Sequence, residues 1–265
     1  MKRTISALML LLMAVLSSAA QQPPTDRARV LDAYGQVQRQ VSRNPDNWTV
    51  LREGDLLAPD SAVRTGERSA ILLQMPDRHA IRVGGSTTLE VKEVGKGGSF
   101  SFQLVAGEIW SFVNKARKPA RYEIDTPTAV LGVRGTIFHV GHDVAADESE
   151  VSVNDGSVTL NQGGVTQSLE KGFEMRFRRN QLAQVKANRH RAGTQQMWRL
   201  ILRENWTGEN PKARLNRDAD GELLKNRLRE RAEIARRTQQ EAAREKAQQA
   251  KAKAKAGKTP PAKKR

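Results

Sequence analysis

The feature that most constrains the fold is a series of short apolar runs between Val30 and Val185, each followed by turn-forming residues. Typical examples are AILLQM before PDR, HAIRV before GGS and TLEVKEV before GKGG. Turn signals recur about every 8 to 12 residues, which is the spacing typical of an all-β domain. Asp155-Gly156 lies between two such runs and indicates a tight hairpin. We therefore predict a mainly β domain over residues 28–186, either a β-sandwich or a short β-solenoid of many short strands.

The first 20 residues have the pattern of a secretory signal peptide. Lys2 and Arg3 precede an apolar segment at residues 5–16, and Ala20 ends a stretch of small residues. An apolar segment of about 12 residues is too short to span a bilayer, which takes roughly 18 or more. We therefore expect a periplasmic or extracellular protein that is secreted through a cleavable signal peptide. The chain contains no cysteine, which excludes disulfides and thiolate metal sites.

Charge is distributed unevenly along the chain. Residues 1–175 contain 19 Lys and Arg against 20 Asp and Glu, whereas residues 176–265 contain 26 against 9. The second part therefore has a net charge of +17, while the whole chain has +16. This division predicts a near-neutral globular domain followed by a basic extension.

The pattern changes to helical spacing after residue 185. Apolar side chains recur four residues apart and predict an amphipathic helix at 194–206, capped by Thr194 and docked on the β domain. Gly and Pro then indicate a linker at 207–221. The recurring apolar residues are Met197, Trp198, Ile201, Leu202 and Trp206.

The composition of the last part of the chain predicts two further segments. Residues 222–256 are rich in Ala, Glu, Lys, Arg and Gln, which favours a charged helix of the coiled-coil type. Residues 257–265 are too charged and too poor in large apolar side chains to fold, so we expect a disordered basic tail. Because the extension has little apolar surface, we expect truncation after Asn205 to leave the β domain folded.

The basic extension also indicates a class of partner. Clusters of Lys and Arg bind polyanions by releasing counterions, without reading sequence. No aromatic residue follows Thr207, so there is no platform on which nucleic-acid bases could stack. We expect another envelope protein or an anionic envelope polymer as partner rather than a nucleic acid, with a merely solvated extension as the alternative. The residues expected to contact a polyanion are Arg227, Arg229, Arg231, Arg236, Arg237, Lys251, Lys253 and Lys255.

The stretch TPTAVLGVRGTIFHV places an arginine between glycines inside an apolar run. Gly132 and Gly135 predict positive φ or a close backbone approach at a bend between two strands. We expect Arg134 to clip that corner by pairing with exposed backbone carbonyls or with a carboxylate such as Asp125 or Asp155. Removing such a paired arginine would cost about 2 to 4 kcal/mol. Recognition of an anion by this arginine is the alternative.

This stretch resembles the hallmark of the FecR-type domain, T-P-x-A-x-x-G-x-R-G-T-x-F, a β-rich extracytoplasmic module named for bacterial iron-siderophore sensing. The matching residues, for which we expect a structural role, are Thr126, Pro127, Ala129, Gly132, Arg134, Gly135, Thr136 and Phe138. An upstream segment is similar to the family's G-D and R-T-G pattern, so the resemblance covers about residues 30–180. The upstream residues are Gly54, Asp55, Arg64, Thr65 and Gly66.

The resemblance implies a non-enzymatic function. Regulators of this family cross the inner membrane, bind a sigma factor and end in a domain that meets a transporter, whereas this chain has a signal peptide and a basic extension. Stand-alone secreted copies of the domain are treated as envelope binding or scaffold modules. We therefore predict an envelope-associated binding or scaffold protein. The alternative is a periplasmic sensor component of an iron or sigma-factor signalling system that works with a separate membrane protein.

Catalytic and metal-binding patterns have little support. The chain lacks G-x-S-x-G, H-E-x-x-H and S-x-x-K, so we predict no enzymatic activity and no cofactor. His139 and His142 lie three residues apart, on opposite faces of a strand, and we expect solvated or capping histidines rather than metal ligands. The segment NRDADGE resembles the start of a calcium loop, but Arg227 occupies the position where a bidentate Glu is required.

Overall fold

The computed structural model describes residues 26–41, 47–117, 119–204 and 213–218, together with part of the segment 221–244. The predicted signal peptide at 1–20 and the predicted basic tail at 257–265 lie outside the described residues. Within the described part of the chain, no helix is long and apolar enough to cross a membrane.

The described residues form a series of short strands followed by helix α1 (Ala192–Leu202) and, further along the chain, by a partly described helical segment. The strands are β1 (Ala28–Tyr34), β2 (Val37–Val41), β3 (Trp48–Val50), β4 (Leu56–Leu57), β5 (Ser61–Thr65), β6 (Ala70–Gln74), β7 (Ala80–Val83), β8 (Thr88–Val94), β9 (Ser99–Phe112), β10 (Arg121–Asp125), β11 (Val130–Val133), β12 (Ile137–Asp143), β13 (Glu148–Asp155), β14 (Ser157–Gln162), β15 (Val165–Glu170), β16 (Phe173–Arg178) and β17 (Asn188–Arg189).

The strands form one continuous mixed sheet that folds into two layers. Layer 1 contains β1, β4, β6, β7, β12, β13, β16 and β17, and layer 2 contains β2, β3, β5, β8, β10, β11, β14 and β15. Strand β9 belongs to both layers, because its first part pairs with β8 and β10 and its last part with β7 and β12. The β9–β10 pair is parallel.

The passage of β9 from layer 2 to layer 1 depends on Gly107. This residue has a φ of +86°, and a Cβ there would lie 2.3 Å from Thr87 Oγ1. Any other residue would therefore suffer both a strained backbone and a steric clash. Thr87 Oγ1 instead accepts a hydrogen bond of 3.0 Å from the backbone N–H of Glu108.

The main core lies between the two layers. Layer 1 contributes side chains such as Val30 and Phe138, and layer 2 contributes Phe100, Phe102 and Tyr122, all of them buried in one cluster. Strands β10 and β14 alternate between buried and more exposed residues, as expected for strands that face a core on one side. The mainly β prediction is confirmed, and the two packed layers correspond to the sandwich alternative.

A second apolar cluster covers the outer face of layer 1. Strand residues on this face pack against α1 and against the chain around residues 213–223. The docking of the predicted helix on the β domain is therefore observed. The members of the cluster are Leu31, Ala70, Leu72, Ala80, Trp110, Trp198, Ile201, Ala213, Leu215 and Leu223.

Two details of the C-terminal prediction are wrong. Helix α1 begins at Ala192 with Arg191 at its N-cap, so Thr194 lies inside the helix and does not cap it. Residues 213–216 lie within the linker predicted at 207–221, but they are attached to the β domain. Leu215 is buried, and its N–H donates a 2.9 Å hydrogen bond to Asp32 Oδ2. Two apolar side chains, Ala213 and Leu215, are too few to form a sequence pattern. They are nevertheless held by the apolar outer face of layer 1.

The described residues between 221 and 244 are helical. Leu223 is buried against layer 1, whereas every described residue from Leu228 to Arg244 is exposed. The rest of the predicted helix at 222–256 lies outside the described residues, so its extent stays a prediction.

Candidate functional site

The first half of the FecR-like motif closes the turn between β10 and β11. The N–H of Thr126 donates to the carbonyl of Ala129 at 2.9 Å, and the N–H of Ala129 donates to Thr126 Oγ1 at 3.0 Å. This threonine therefore closes the turn with both its backbone and its side chain, while Pro127 at the second position fixes φ.

The same turn is attached to layer 1 by side chains. Thr128 Oγ1 donates to Ser149 Oγ at 2.6 Å, and Ser149 Oγ lies 3.1 Å from His142 Nδ1. Gln162 Nε2 donates to the carbonyl of Thr128 at 2.6 Å. The turn thus joins strands of the two layers through buried polar contacts, which are worth most where water is excluded.

The second half of the motif carries the chain from β11 in layer 2 to β12 in layer 1. Gly135 has a φ of +67°, and a Cβ there would lie 3.1 Å from Lys115 Cγ. Thr136 Oγ1 donates to the carbonyl of Ser157 at 2.7 Å, and the N–H of Val113 donates to the carbonyl of Thr136 at 2.9 Å. Phe138 follows and is fully buried in the main core. These contacts indicate a structural role for this part of the motif.

The prediction for the two motif glycines is right for Gly135 and wrong for Gly132. Gly132 lies inside β11, paired with Glu123 on one side and Thr159 on the other, and its φ is not positive. A Cβ there would meet only the carbonyl oxygen of Thr159, at 3.9 Å. The bend therefore lies entirely after β11.

The prediction that Arg134 clips the corner is wrong. Arg134 is exposed, and its guanidinium makes no hydrogen bond or ion pair with any described residue. Asp155 is occupied instead by Lys115 Nζ at 2.6 Å and by Lys171 Nζ at 3.5 Å. The hydrogen bond from Lys115 is the main reason that the pKa of the Asp155 carboxyl is lowered. Arg134 is thus left available for an external anion, as the alternative interpretation requires.

The two histidines lie on opposite faces of β12, as expected, but they are neither solvated nor capping residues. His139 lies against Trp110, with ring centroids 5.1 Å apart, and its Nε2 is 3.3 Å from Glu108 Oε2. His142 is buried beside Ser149, and burial lowers its pKa. Both histidines are buried because both faces of layer 1 are covered by apolar clusters. Within the described ranges, no group of three or more potential metal ligands is present.

The residues predicted to contact a polyanion are only partly described. Arg229 and Arg236 are exposed residues in the helical segment, and Lys225 Nζ pairs with Glu222 Oε1 at 2.8 Å. The other candidates lie outside the residues whose side chains are described: Arg227, Arg231, Arg237, Lys251, Lys253 and Lys255. Their role stays a prediction.

Sequence reasoning missed the buried contact that holds the C-terminal extension. Arg82 Nε is 2.7 Å from Glu204 Oε2, and Arg82 Nη2 is 3.1 Å from Glu204 Oε1. The same Glu204 Oε1 accepts a hydrogen bond of 3.0 Å from the N–H of Asn216. The arginine also lies over the ring of Trp110, 5.0 Å from its centroid. The sequence contained one sign of this contact, because Arg82 is a charged residue inside the apolar strand HAIRV.

The fold and the motif define a mainly β domain in which a short signature joins two layers. The FecR protein family matches residues 61–159, so the chain contains a FecR domain at these residues. None of the curated proteins compared with the chain matches it in sequence.

Two crystal structures of a candidate anti-sigma factor from Parabacteroides distasonis, at 1.65 and 2.50 Å resolution, are similar in fold. Each is 15% identical in sequence, with TM-scores of 0.45 and 0.46. The match covers 52% of this chain and 64% of that protein, which is less than two thirds of its length.

Proposed function

We propose that the protein is a non-enzymatic, envelope-associated binding or scaffold module, in which the FecR domain holds a basic helix against an anionic envelope polymer. The proposal rests mainly on one observation, the attachment of the C-terminal extension to layer 1. Ala213, Leu215 and Leu223 are buried on the domain, whereas every described residue from Leu228 to Arg244 is exposed.

This attachment fixes the start of the basic helix relative to the β domain. The Arg82–Glu204 ion pair and the hydrogen bond from Leu215 to Asp32 hold the chain on both sides of the segment 205–212. Because the start of the helix is fixed on the domain, its Lys and Arg side chains are confined to one region. The conformational entropy lost on binding is therefore smaller than for an untethered tail.

The charge distribution supports a polyanion as the partner. The segment 176–265 has a net charge of +17, and the preceding part of the chain has −1. Lys and Arg that neutralise a polyanion release counterions, so the affinity should fall linearly with the logarithm of salt concentration. The attraction is not specific for sequence, which fits a scaffold that associates with a repeating polymer.

Co-sedimentation with vesicles that contain lipopolysaccharide tests this function, with phosphatidylcholine vesicles as the neutral control. The full mature protein should sediment at about 50 mM salt and be released at about 300 mM, because the Debye length falls from roughly 14 to 6 Å. Truncation after Asn226 should abolish sedimentation, and the Arg229→Gln/Arg236→Gln variant should weaken it. Equal sedimentation of the full and truncated proteins would refute the proposal.

A second candidate function is the sensor component of a signalling system, working with a separate membrane protein. The FecR domain at residues 61–159 supports it. A photo-crosslinking residue in place of Val130, which is exposed on layer 2, would capture a protein partner of the domain. Capture of one membrane protein by this variant, but not by a variant labelled at Arg236, would favour the sensor; capture only through position 236 would favour the scaffold.

A further inference from the structure

We propose that the β domain has an anion site of its own, at the end where Arg134 is exposed, and that this site binds phosphate groups. The site lies on the turns of the domain and not in the basic extension, so the inference goes beyond the proposed function. Its main contact is an arginine that the fold does not use, held on a fixed turn beside two lysines.

Several turns of layer 1 meet at this end of the domain. One line of strand register runs through Ala80, Phe112, Ile137 and Asp155, each of which begins or ends its strand. The turns next to these residues are therefore neighbours in space. The turn at 171–172 joins them, because the N–H of Gly172 donates to a carbonyl of β13 at 2.8 Å.

The strands of layer 2 reach the same end. Glu123 pairs with Gly132, two residues before Arg134, so β10 lies beside the turn that carries this arginine. On the other side of β11, Ser157 at the start of β14 pairs with Glu170 at the end of β15. We call the whole region the basic end, which comprises residues 76–79, 113–117, 121–123, 134–136, 155–157 and 170–172.

The described side chains of the basic end carry an excess of positive charge. Six are basic (Arg78, Lys115, Arg117, Arg121, Arg134 and Lys171) and four are acidic, so the net charge is +2. Every acid has a partner in the domain, and none contacts Arg134. The contacts of the acids are Asp77 with Arg117, Glu123 with Arg121, Asp155 with Lys115 and Lys171, and Glu170 with the hydroxyl of Ser168.

Arg134 differs from the motif residues that follow it because it has no contact that supports the fold. Thr136 donates a hydrogen bond to a neighbouring strand, and Phe138 is buried in the main core. The guanidinium of Arg134 is exposed and bonds to none of the described residues. All five of its N–H donors are therefore available to an external acceptor.

The turn that carries this guanidinium is fixed by contacts on both sides. Thr136 Oγ1 donates to the carbonyl of Ser157 at 2.7 Å, and the N–H of Val113 donates to the carbonyl of Thr136 at 2.9 Å. The carbonyl oxygen of Gly135 lies against Gly156, where a Cβ would be only 2.8 Å away. A ligand contact on a fixed turn costs less conformational entropy than one on a free chain.

Two lysines lie beside this turn and share one carboxylate. A Cβ at Gly135 would be 3.1 Å from Lys115 Cγ, so the side chain of Lys115 lies against the turn where glycine leaves room. Lys115 Nζ is 2.6 Å from Asp155 Oδ2, and Lys171 Nζ is 3.5 Å from Asp155 Oδ1. One carboxylate neutralises only one of two ammonium groups, so this cluster keeps one positive charge close to Arg134.

A phosphate group fits these cations better than a carboxylate does. A phosphate monoester carries a charge of about −1.5 to −2 and three strong acceptor oxygens. A guanidinium can bind two of these oxygens in parallel, and an ammonium group can approach the third as a point charge. A carboxylate has one charge and two oxygens, which Arg134 alone would satisfy. The excess charge of the basic end therefore matches one phosphate monoester.

Two-dimensional ¹⁵N NMR of the full mature protein tests the inference, by titration with glucose 1-phosphate and with inorganic phosphate at constant ionic strength. The backbone amide signals of Gly135, Gly156 and Gly172 should shift and reach saturation. Arg134→Gln should raise the dissociation constant about tenfold, because hydrogen bonds to a charged group are lost. Arg68→Gln is the matched control and should bind normally, because Arg68 is also exposed in a turn but precedes β6, at the opposite end of the domain.

Asp155→Asn is a variant whose affinity for phosphate should rise. The substitution removes the carboxylate that competes for both lysines, and Asn-Gly suits the hairpin turn as well as Asp-Gly does. Phosphate should then bind severalfold more tightly. A solvated arginine without a ligand predicts no such gain, so an unchanged or weaker affinity of Asp155→Asn would overturn the inference.

The two probes and one variant of the extension separate the other outcomes. Tighter binding of glucose 1-phosphate assigns the site to the phosphates of a sugar polymer, and equal binding of inorganic phosphate assigns it to the free anion; both results support a phosphate site. Arg229→Gln/Arg236→Gln should leave the shift of the Gly135 signal unchanged while it weakens sedimentation with lipopolysaccharide, so either proposal can fail without the other. Signals that follow ionic strength alone, or a normal affinity of Arg134→Gln, would contradict a phosphate site.

Discussion

Arg82 and Glu204 form a fully buried, two-pronged ion pair although they are 122 positions apart in sequence. Arg82 belongs to β7 in the middle of layer 1, and Glu204 follows α1. The pair therefore fixes where the chain leaves the helix, and Asn216 extends the contact by donating to the same carboxylate. A buried ion pair contributes little net stability because desolvation offsets attraction, but it specifies one arrangement of the groups that it joins.

Removing one partner of this pair should destabilise the protein strongly. Glu204→Gln leaves the Arg82 cation in a buried site without a counter-charge, and the free energy of unfolding should fall by about 3 to 5 kcal/mol. The double variant Arg82→Met/Glu204→Met should be less destabilised than Glu204→Gln, because no charge stays buried. Urea denaturation of the parent, of Glu204→Gln, of the single variants Arg82→Met and Glu204→Met and of the double variant provides the measurement. Additive effects of the two Met substitutions in the double variant would show that the residues are not coupled.

The position of a truncation should decide whether the β domain keeps its stability. Truncation after Asn205 removes Ala213, Leu215 and Leu223, which cover the outer face of layer 1, so the domain that we expect to stay folded should nevertheless lose stability. Burial of one leucine is worth about 1.5 to 3 kcal/mol, so we expect a loss of about 3 to 6 kcal/mol. Truncation after Asn226 retains these residues and should leave the melting temperature unchanged. Thermal denaturation of both forms checks the difference.

The strands were predictable because each is a local pattern. β10 and β14 show the alternation of a half-buried strand, and Asp155-Gly156 marks the turn between β13 and β14. The path of β9 through both layers was not predictable, since it depends on the contact between Gly107 and Thr87. Local periodicity predicts that a strand forms; contacts distant in sequence decide which strands it pairs with.

The candidate sites were less predictable for the same reason. The motif indicated a bend near Gly135, but not that Lys115 would lie closer to Asp155 than Arg134 does. The ion pair between Arg82 and Glu204 joins residues that are 122 positions apart, and neither residue belongs to a motif. Residues that meet only through the fold leave no spacing in the sequence.

Substitution of Arg134 should have little effect on stability. The guanidinium is exposed and has no described partner, so Arg134→Ala should change the free energy of unfolding by no more than about 0.5 kcal/mol. Thr136→Val is the informative comparison, because it removes the hydrogen bond to the carbonyl of Ser157 and should cost about 1 kcal/mol. Chemical denaturation of both variants tests this order. A loss of several kcal/mol for Arg134→Ala would instead support the original prediction that this arginine stabilises the corner.

The two motif glycines should respond differently to alanine. Gly135→Ala places a side chain at a φ of +67° and close to Lys115, and it should cost about 1 to 2 kcal/mol. Gly132→Ala has room for its Cβ and an ordinary φ, so it should be neutral or stabilise by up to about 1 kcal/mol. Measured melting temperatures should rank the variants in this order. Equal losses would mean that the motif needs both glycines for another reason.

His79 should make the protein less stable as the pH falls from about 6.5 toward 4. The ring is fully buried beside Phe100, and its Nδ1 accepts a 3.0 Å hydrogen bond from the N–H of Asn114. Burial lowers the pKa of His79 from 6.5 to about 4, with partial opposition from Asp77. Between these two values only the unfolded chain takes up the proton, so protonation favours unfolding; above pH 6.5 neither state does.

His79→Gln keeps an acceptor that does not titrate, and its unfolding free energy, measured by urea denaturation at pH 7 and 4.5, should depend less on pH. The pKa of His142 is also lowered by burial, so the double variant His79→Gln/His142→Gln should lose still more of the dependence. A His79→Gln protein with the full pH dependence of the parent would show that this histidine is not the buried group that responds to acid.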